Sequence, residues 1–305
     1  MDENTRRIVD GMKKEMIEGA RQAAEANKVI PVTGKRYNLP LAGRVLDMVY
    51  YPAKKENASL LLGFHGGGFL FGGSAMDDAM WSTMAEKLEM NVASIGYRLA
   101  PDYQYPAPIE DAYDSAVYLK DHAEDYGFDP EHISVGGCSA GGNIAASVCL
   151  MANRKGKIRF DHQILIYPCV DQVTDPTEKG DGSLSGPMLY VFNELYLVPG
   201  REKEQECSPI FADRKELEKL PHAIIIRAEN DCLKHEAKAY EEKLKEAGVR
   251  VESMQADSMP HGFYEYGFGT GMGQDFLEEG IKRGIADGTI AKAAEEALDF
   301  IKENL

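Results

Sequence analysis

His132-Ile133-Ser134-Val135-Gly136-Gly137-Cys138-Ser139-Ala140-Gly141-Gly142-Asn143 is the stretch whose reading decides the fold. Its first residues, 132–136, hold the β-branched Ile133 and Val135 in alternation and read as a short buried strand. From Asn143 onward apolar residues recur at three and four, the period of a helix, which continues to residue 154. Ser139 stands in the turn between them, with Gly137 two residues before and Gly141 two residues after. That is the context of a nucleophile elbow. A tight, strained strand-to-helix turn lifts the serine hydroxyl above the sheet edge. The two glycines stay small because strand and helix backbones converge there. A glycine-rich turn without chemistry is the competing reading, since G-x-S-x-G arises easily in a chain with 30 glycines. The strand before and the helix after favour the elbow.

Outward from this turn the same rhythm repeats. Strands are predicted over 45–50, 59–64, 92–97, 163–167, 223–227 and 249–254, and helices over 76–88, 109–126, 235–247 and 290–303. Strands alternating with helices of this length imply βαβ units and a mostly parallel central sheet. Helices on both of its faces explain why the strand at 223–227 is almost wholly apolar. The 305 residues are expected to form one domain, 1–305, since α/β domains of this size often stay undivided. Residues 5–26 read as a helix with a single apolar stripe, Val9, Met12, Met16, Ala20 and Ala23. Two regions break the rhythm: 171–216, with a short helix over 188–197, and the Gly-rich, acidic 267–288. Irregular stretches this long are usually functional covers or mobile segments. Segments 1–30 and 171–216 are therefore expected to form a small helical cap, with Met12, Met16, Met188, Leu189 and Phe192 as apolar lining. A surface or subunit-contact role for the same residues is the plain alternative.

Three further signals carry chemistry. His65-Gly66-Gly67-Gly68-Phe69 follows the strand over 59–64. Three successive glycines leave backbone N–H groups free to face an oxyanion, and the Ala140 N–H after Ser139 would join them. His65, on the strand that leads into this loop, reads as a structural hydrogen-bonding group rather than a base. Asp231 follows the strand over 223–227, and His261 follows that over 249–254. Both thus stand at C-terminal strand ends, where open α/β sheets place their sites. Taken singly, Asp231 would be an ordinary turn residue and His261 a surface group. The order Ser, Asp, His makes them a candidate catalytic triad, Ser139, Asp231 and His261.

HGGGF at 65–69, YRLAP at 97–101, Pro106-Ala107, Asp111, GCSAGG at 137–142, Ser208-Pro209, Asp231-Cys232-Leu233 and His261-Gly262-Phe263 stand in this order. The chain so resembles the hormone-sensitive-lipase-like branch of the α/β-hydrolases, which includes many bacterial carboxylesterases and acetyl esterases. The resemblance runs from about residue 40 to 264. It implies an α/β-hydrolase fold and a serine esterase that hydrolyses short-chain acyl, acetyl-like esters through an acyl-enzyme. It assigns the oxyanion hole to Gly67, Gly68 and Ala140, and implies no cofactor. An amidase or peptidase on the same triad is the alternative reaction. A ligand receptor that has lost catalysis is a third reading, disfavoured because His261 is retained. The chain departs from the family at Cys138 and His235, where acidic residues are usual. Its Gly-rich stretch after His261 is also longer, and its N-terminal cap shorter.

Composition bounds the partners. Lys and Arg number 34 against 50 Asp and Glu, a formal charge of −16. So acidic a surface repels phosphate backbones and anionic lipid, so neither nucleic acid nor a membrane is expected as a partner. A small-molecule ester is the expected partner, with homo-oligomerisation left open. The N-terminus carries no signal-peptide pattern. The cysteines, five and scattered, lack CxxC spacing, which argues against disulfides and a zinc or other metal site. A cytoplasmic location is the expectation.

Overall fold

Each central strand is apolar on both sides, so the sheet needs cover on both faces. In β3 (Leu60–Phe64), Leu60, Leu62 and Phe64 enter one hydrophobic core, and Leu61 enters the other. In β7 (His222–Asn230), Ala223 and Ile225 face the first core, Ile224 and Ile226 the second. This two-residue alternation between two packed layers is what a doubly covered sheet requires.

The computed structural model describes residues 3–184, 186–271 and 277–305. The remaining strands are β1 (Lys35–Leu41), β2 (Arg44–Tyr51), β4 (Asn91–Ile95), β5 (Ile133–Cys138), β6 (His162–Ile166) and β8 (Val251–Pro260). They form one eight-stranded sheet in the order β1-β2-β4-β3-β5-β6-β7-β8. The pairs β1–β2 and β2–β4 are antiparallel, and every other pair is parallel. The helices are α1 (Glu3–Asn27), α2 (Asp78–Leu88), α3 (Ala107–Asp121), α4 (Ala123–Tyr126), α5 (Ala140–Lys155), α6 (Gly186–Tyr196), α7 (Arg214–Leu217), α8 (Lys234–Glu246), α9 (Phe263–Gly267), α10 (Glu279–Ala286) and α11 (Thr289–Glu303). Side chains of α3, α5 and α8 fill the first core, and those of α2 and α11 fill the second. The mostly parallel, doubly covered sheet read from the sequence is thus the one observed.

Four differences have physical reasons. β1 escapes the sequence pattern because it is an edge strand: only Leu39 and Leu41 of KRYNLPL are buried, and it contains Pro40. Proline is tolerated there because an edge strand needs hydrogen-bond donors on one side only. β8 runs to Pro260 rather than 254, since its polar half, Gln255 to Ser258, lies on the opposite sheet edge. The helix expected over 109–126 breaks at His122, whose Nδ1 reaches back to the Tyr118 carbonyl at 2.8 Å. The 267–288 stretch, read as irregular, contains α10, and α9 ends at its start. Its centre, 272–276, lies outside the described residues.

α1 lies against α6. Glu194 of α6 is paired with both Arg6 and Lys13, the latter at 3.1 Å. Among the described residues no helix is long and apolar enough to cross a membrane. The five cysteines are free and buried.

Candidate active site

Four parallel strands, β3, β5, β7 and β8, end at one edge of the sheet and deliver, in turn, the glycine loop, Ser139, Asp231 and His261. The order of the sheet therefore brings Ser139 to His261, 122 positions away in sequence, with the still more distant glycine loop beside them.

The elbow is as tight as its glycines imply. Ser139 has φ 56° and ψ −116°, a conformation that costs a non-glycine residue about 1–3 kcal/mol. A Cβ on Gly137 would stand 2.5 Å from the Phe64 carbonyl oxygen, and one on Gly141 only 1.9 Å from it. Nothing but glycine fits where β3 and the first turn of α5 touch. The Ser139 N–H donates to the Ile166 carbonyl at 2.9 Å, and its own carbonyl accepts from Asn143 N–H at 3.0 Å. The strained turn is thus held from both sides.

The Ser139 hydroxyl lies 2.9 Å from His261 Nε2, and His261 Nδ1 lies 2.7 Å from Asp231 Oδ2. Asp231 is fully buried, and its other oxygen accepts the Leu233 N–H at 2.9 Å. A buried carboxylate so held orients the imidazole with Nδ1 protonated. Nε2 is then left as the acceptor for the serine proton. Tyr167, just past β6, packs its ring 4.7 Å from that of His261 and is itself backed by Phe263 at 5.7 Å.

The glycine loop runs beside Ser139: a Cβ on Gly66 would be 3.8 Å from Ser139 Cβ. Gly67 and Gly68 both have positive φ, 106° and 61°. The loop turns back through Gly67, whose carbonyl accepts from Leu70 and Phe71. No acceptor among the described residues is bonded to the Gly67 or Gly68 N–H. The Ala140 N–H, at the first turn of α5, is likewise without an intrahelical acceptor. These are the three donors that the sequence singles out. His65 is fully buried, stacked on Tyr97 at 4.1 Å, with Nδ1 2.8 Å from the Gly66 carbonyl oxygen. Burial lowers its pKa to about 4, so it is neutral at physiological pH and braces the loop, as expected of a structural histidine.

Sequence reasoning missed an acid pair under this loop. Asp77 and Glu265 are both buried; Asp77 is faced by Thr270 and the Gly271 backbone, and Glu265 Oε2 has no hydrogen-bond partner among the described residues. Burial pushes both pKa values well above the usual carboxylate range, and the charge of Asp77 raises Glu265 further. Glu265 abuts the loop, with Oε1 3.3 Å from where a Gly66 Cβ would be. The Cys138 thiol, in the place where the resembling family carries an acid, is buried beside Glu265 and raised by burial and then by that carboxyl. A carboxyl group thus neighbours the elbow from a different point of the chain. The other departure, His235, precedes Glu236, whose buried carboxylate accepts the Val170 N–H at 2.7 Å and pairs with buried Lys179 at 2.6 Å. Among the described residues no cluster of His, Cys, Asp or Glu is placed to hold a metal ion.

Comparison with known proteins agrees with this architecture. A family model of the α/β hydrolase fold matches residues 61–265, and the chain belongs to that family. It is similar to an arylesterase of Saccharolobus solfataricus, 31% identical over 74% of this chain and 73% of that protein. It is also similar to carboxylesterase NlhH of Mycobacterium tuberculosis, 33% identical over 72% of this chain and 70% of that one. Among solved structures, an esterase of Pyrobaculum calidifontis superposes with a TM-score of 0.74 at 29% identity, covering 98% of this chain and 94% of the other.

Proposed function

We propose that this chain is a serine carboxylesterase for short-chain, acetyl-like esters, with Ser139, His261 and Asp231 as its triad. The observation that carries the reading is the unbroken chain of contacts from Ser139 Oγ through the imidazole to buried Asp231, 2.9 Å and 2.7 Å long. Ser139 Oγ attacks the ester carbonyl carbon while His261 Nε2 takes its proton. The resulting oxyanion accepts from the N–H groups of Gly67, Gly68 and Ala140, and backbone donors fixed before the reaction begins are where much of the rate enhancement arises. His261 then gives the proton to the departing alkoxide, and the alcohol leaves an acyl-Ser139 ester. Water, deprotonated by the same imidazole, attacks that ester. The acid is released and the serine restored. Asp231 stays ionised throughout and stabilises the imidazolium of each step.

A small acyl group is supported by what stands over the glycine loop. Phe192 of α6 leaves no room at Gly68, where a Cβ would be 2.4 Å from its ring. Phe71 crosses Phe192 edge-to-face at 6.5 Å. Phe71 in turn faces α1, 3.8 Å from where a Gly19 Cβ would be. Segments 1–30 and 171–216 thus act as a cap on the single domain, narrowing the space beside Ser139. The test is turnover of p-nitrophenyl esters from acetate to decanoate and of acetylated sugars, with Ser139→Ala as control. The reading expects activity to fall with chain length. Removing residues 1–26 should then relax that preference, and an unchanged acetate-to-hexanoate ratio would exclude the cap role.

A further inference from the structure

The loop that carries His261 is not held by the sheet alone. The ladder between β7 and β8 is irregular at Ala228 to Asn230, and its last pair is Asn230 with Pro260. Ser258, two residues earlier, has a positive φ of 62°. Past this point neither strand offers a regular partner, and the His261 N–H is taken by a side chain, the Ser183 hydroxyl, at 2.8 Å.

Ser183 belongs to the 171–216 segment, far from β7 and β8 in sequence, yet it grips both. Its backbone N–H donates to the Asn230 carbonyl at 3.1 Å, and its hydroxyl lies 3.3 Å from the same oxygen. The hydroxyl proton therefore goes to Asn230 while the hydroxyl oxygen accepts from His261. Asn230 immediately precedes Asp231. The preceding residue, Gly182, lies flat on the Asp231–Cys232 peptide: a Cβ there would be 2.3 Å from the Cys232 nitrogen and 3.0 Å from the Asp231 Cα. Two consecutive residues of the cap segment thus touch the backbones that carry the acid and the base, while Phe192 of the same segment covers Gly68.

We infer that Ser183 is a positioning residue. Its hydroxyl ties the His261 backbone to that of Asn230 and so fixes the imidazole on the line between Asp231 and Ser139. The inference rests on the proposed triad. It means that α6 and the 171–216 segment do more than shape the pocket, because their seating is a condition for the acid–base pair to be aligned. Misplacing a reacting group by about 1 Å can cost a hundredfold in rate, whereas this loop is not expected to bear on ester binding.

The experiment compares Ser183→Thr with Ser183→Val, side chains of one shape that differ by the hydroxyl, in the full-length chain. Steady-state kinetics on p-nitrophenyl acetate and the far-downfield imidazole proton resonance of the His261–Asp231 hydrogen bond are the readouts. The expected result is kcat within about threefold of wild type for Thr. For Val the expectation is a fall of tenfold or more, with KM unchanged within twofold and the resonance shifted or lost. Equal kcat for Thr and Val, or an unmoved resonance in Val, overturns the inference. If both variants lose thermal stability alike, the Thr-to-Val ratio of kcat at a temperature where both are folded decides in the same way. Failure of the triad itself shows separately, as wild-type esterase activity that survives Ser139→Ala.

Discussion

Replacing Gly141 by alanine adds one methyl group at the tightest contact of the elbow. That carbon would lie 1.9 Å from the Phe64 carbonyl oxygen, 2.6 Å from its carbon and 2.7 Å from the His65 carbonyl oxygen. All three are backbone atoms, so no rotamer change relieves the clash. Protein Cβ contacts are essentially never closer than 3.0 Å, so the end of β3 and the first turn of α5 must part by about 1 Å. Both sides of that gap carry proposed machinery: Ser139 and the Ala140 N–H on one, the glycine loop on the other. Overpacking of this kind typically destabilises by about 1–3 kcal/mol, and 1 Å of misplacement lowers the rate by about a hundredfold. Two assays follow: thermal unfolding, and kcat on p-nitrophenyl acetate below the unfolding range. The expectation is a Tm lower by several degrees and kcat lower by about two orders of magnitude. Gly11→Ala is the control. Gly11 is inside α1 with nothing within 4 Å of its would-be Cβ, so that change should raise stability by about 0.5–1 kcal/mol. A Gly141→Ala enzyme with wild-type Tm and kcat would refute the claim that the elbow needs glycine for closeness.

Asp231→Asn keeps the shape of the buried carboxylate but favours the wrong imidazole tautomer; kcat should fall by about 10³–10⁴ with KM little changed, as measured on any active ester. Lys179→Met leaves the Glu236 carboxylate buried without its cation, both side chains being almost wholly enclosed. A loss of about 3–5 kcal/mol is expected in urea unfolding, and a loss below 1 kcal/mol would show that the pair is not a structural anchor. Glu265 and Asp77 have folded-state pKa values raised by burial. The protonated forms are therefore favoured in the fold. The stability they contribute is complete below the ordinary carboxylate pKa, about 4, and is lost as pH rises through their raised values. Tm of the wild type minus that of Glu265→Gln should accordingly decrease from pH 5 to pH 9; a difference that is flat or grows would show that Glu265 is ionised in the folded protein.

Much of this site is legible in the sequence because its chemistry is written next to strand ends. Ser139 is flagged by Gly137 and Gly141, whose smallness the turn around it requires. Asp231 and His261 each follow a strand, and parallel strands bring their C-terminal ends together whatever the spacing between them. Ser183 carries no such mark. Its hydroxyl is bonded to a backbone N–H 78 positions away, and such a bond leaves no local pattern around Ser183. Tyr167 reads as an ordinary core aromatic, and only the return of β6 beside β7 sets it against the imidazole. Nothing in the sequence marks Asp77 or Glu265 as buried, because burial of a charge is a property of the tertiary packing alone. β1 escapes the pattern for a different reason: a strand with one neighbour needs only half the apolar pattern, and it tolerates Pro40.

The central claim, that Ser139 is the nucleophile activated by His261, is tested most directly by reaction with an alkyl p-nitrophenyl phosphonate followed by peptide mass analysis. One adduct per chain, on the peptide containing Ser139, with release of one p-nitrophenol and parallel loss of esterase activity, is the predicted result; His261→Ala should react slower by at least a thousandfold. An adduct on another residue, or esterase activity undiminished by full labelling of Ser139, would contradict it.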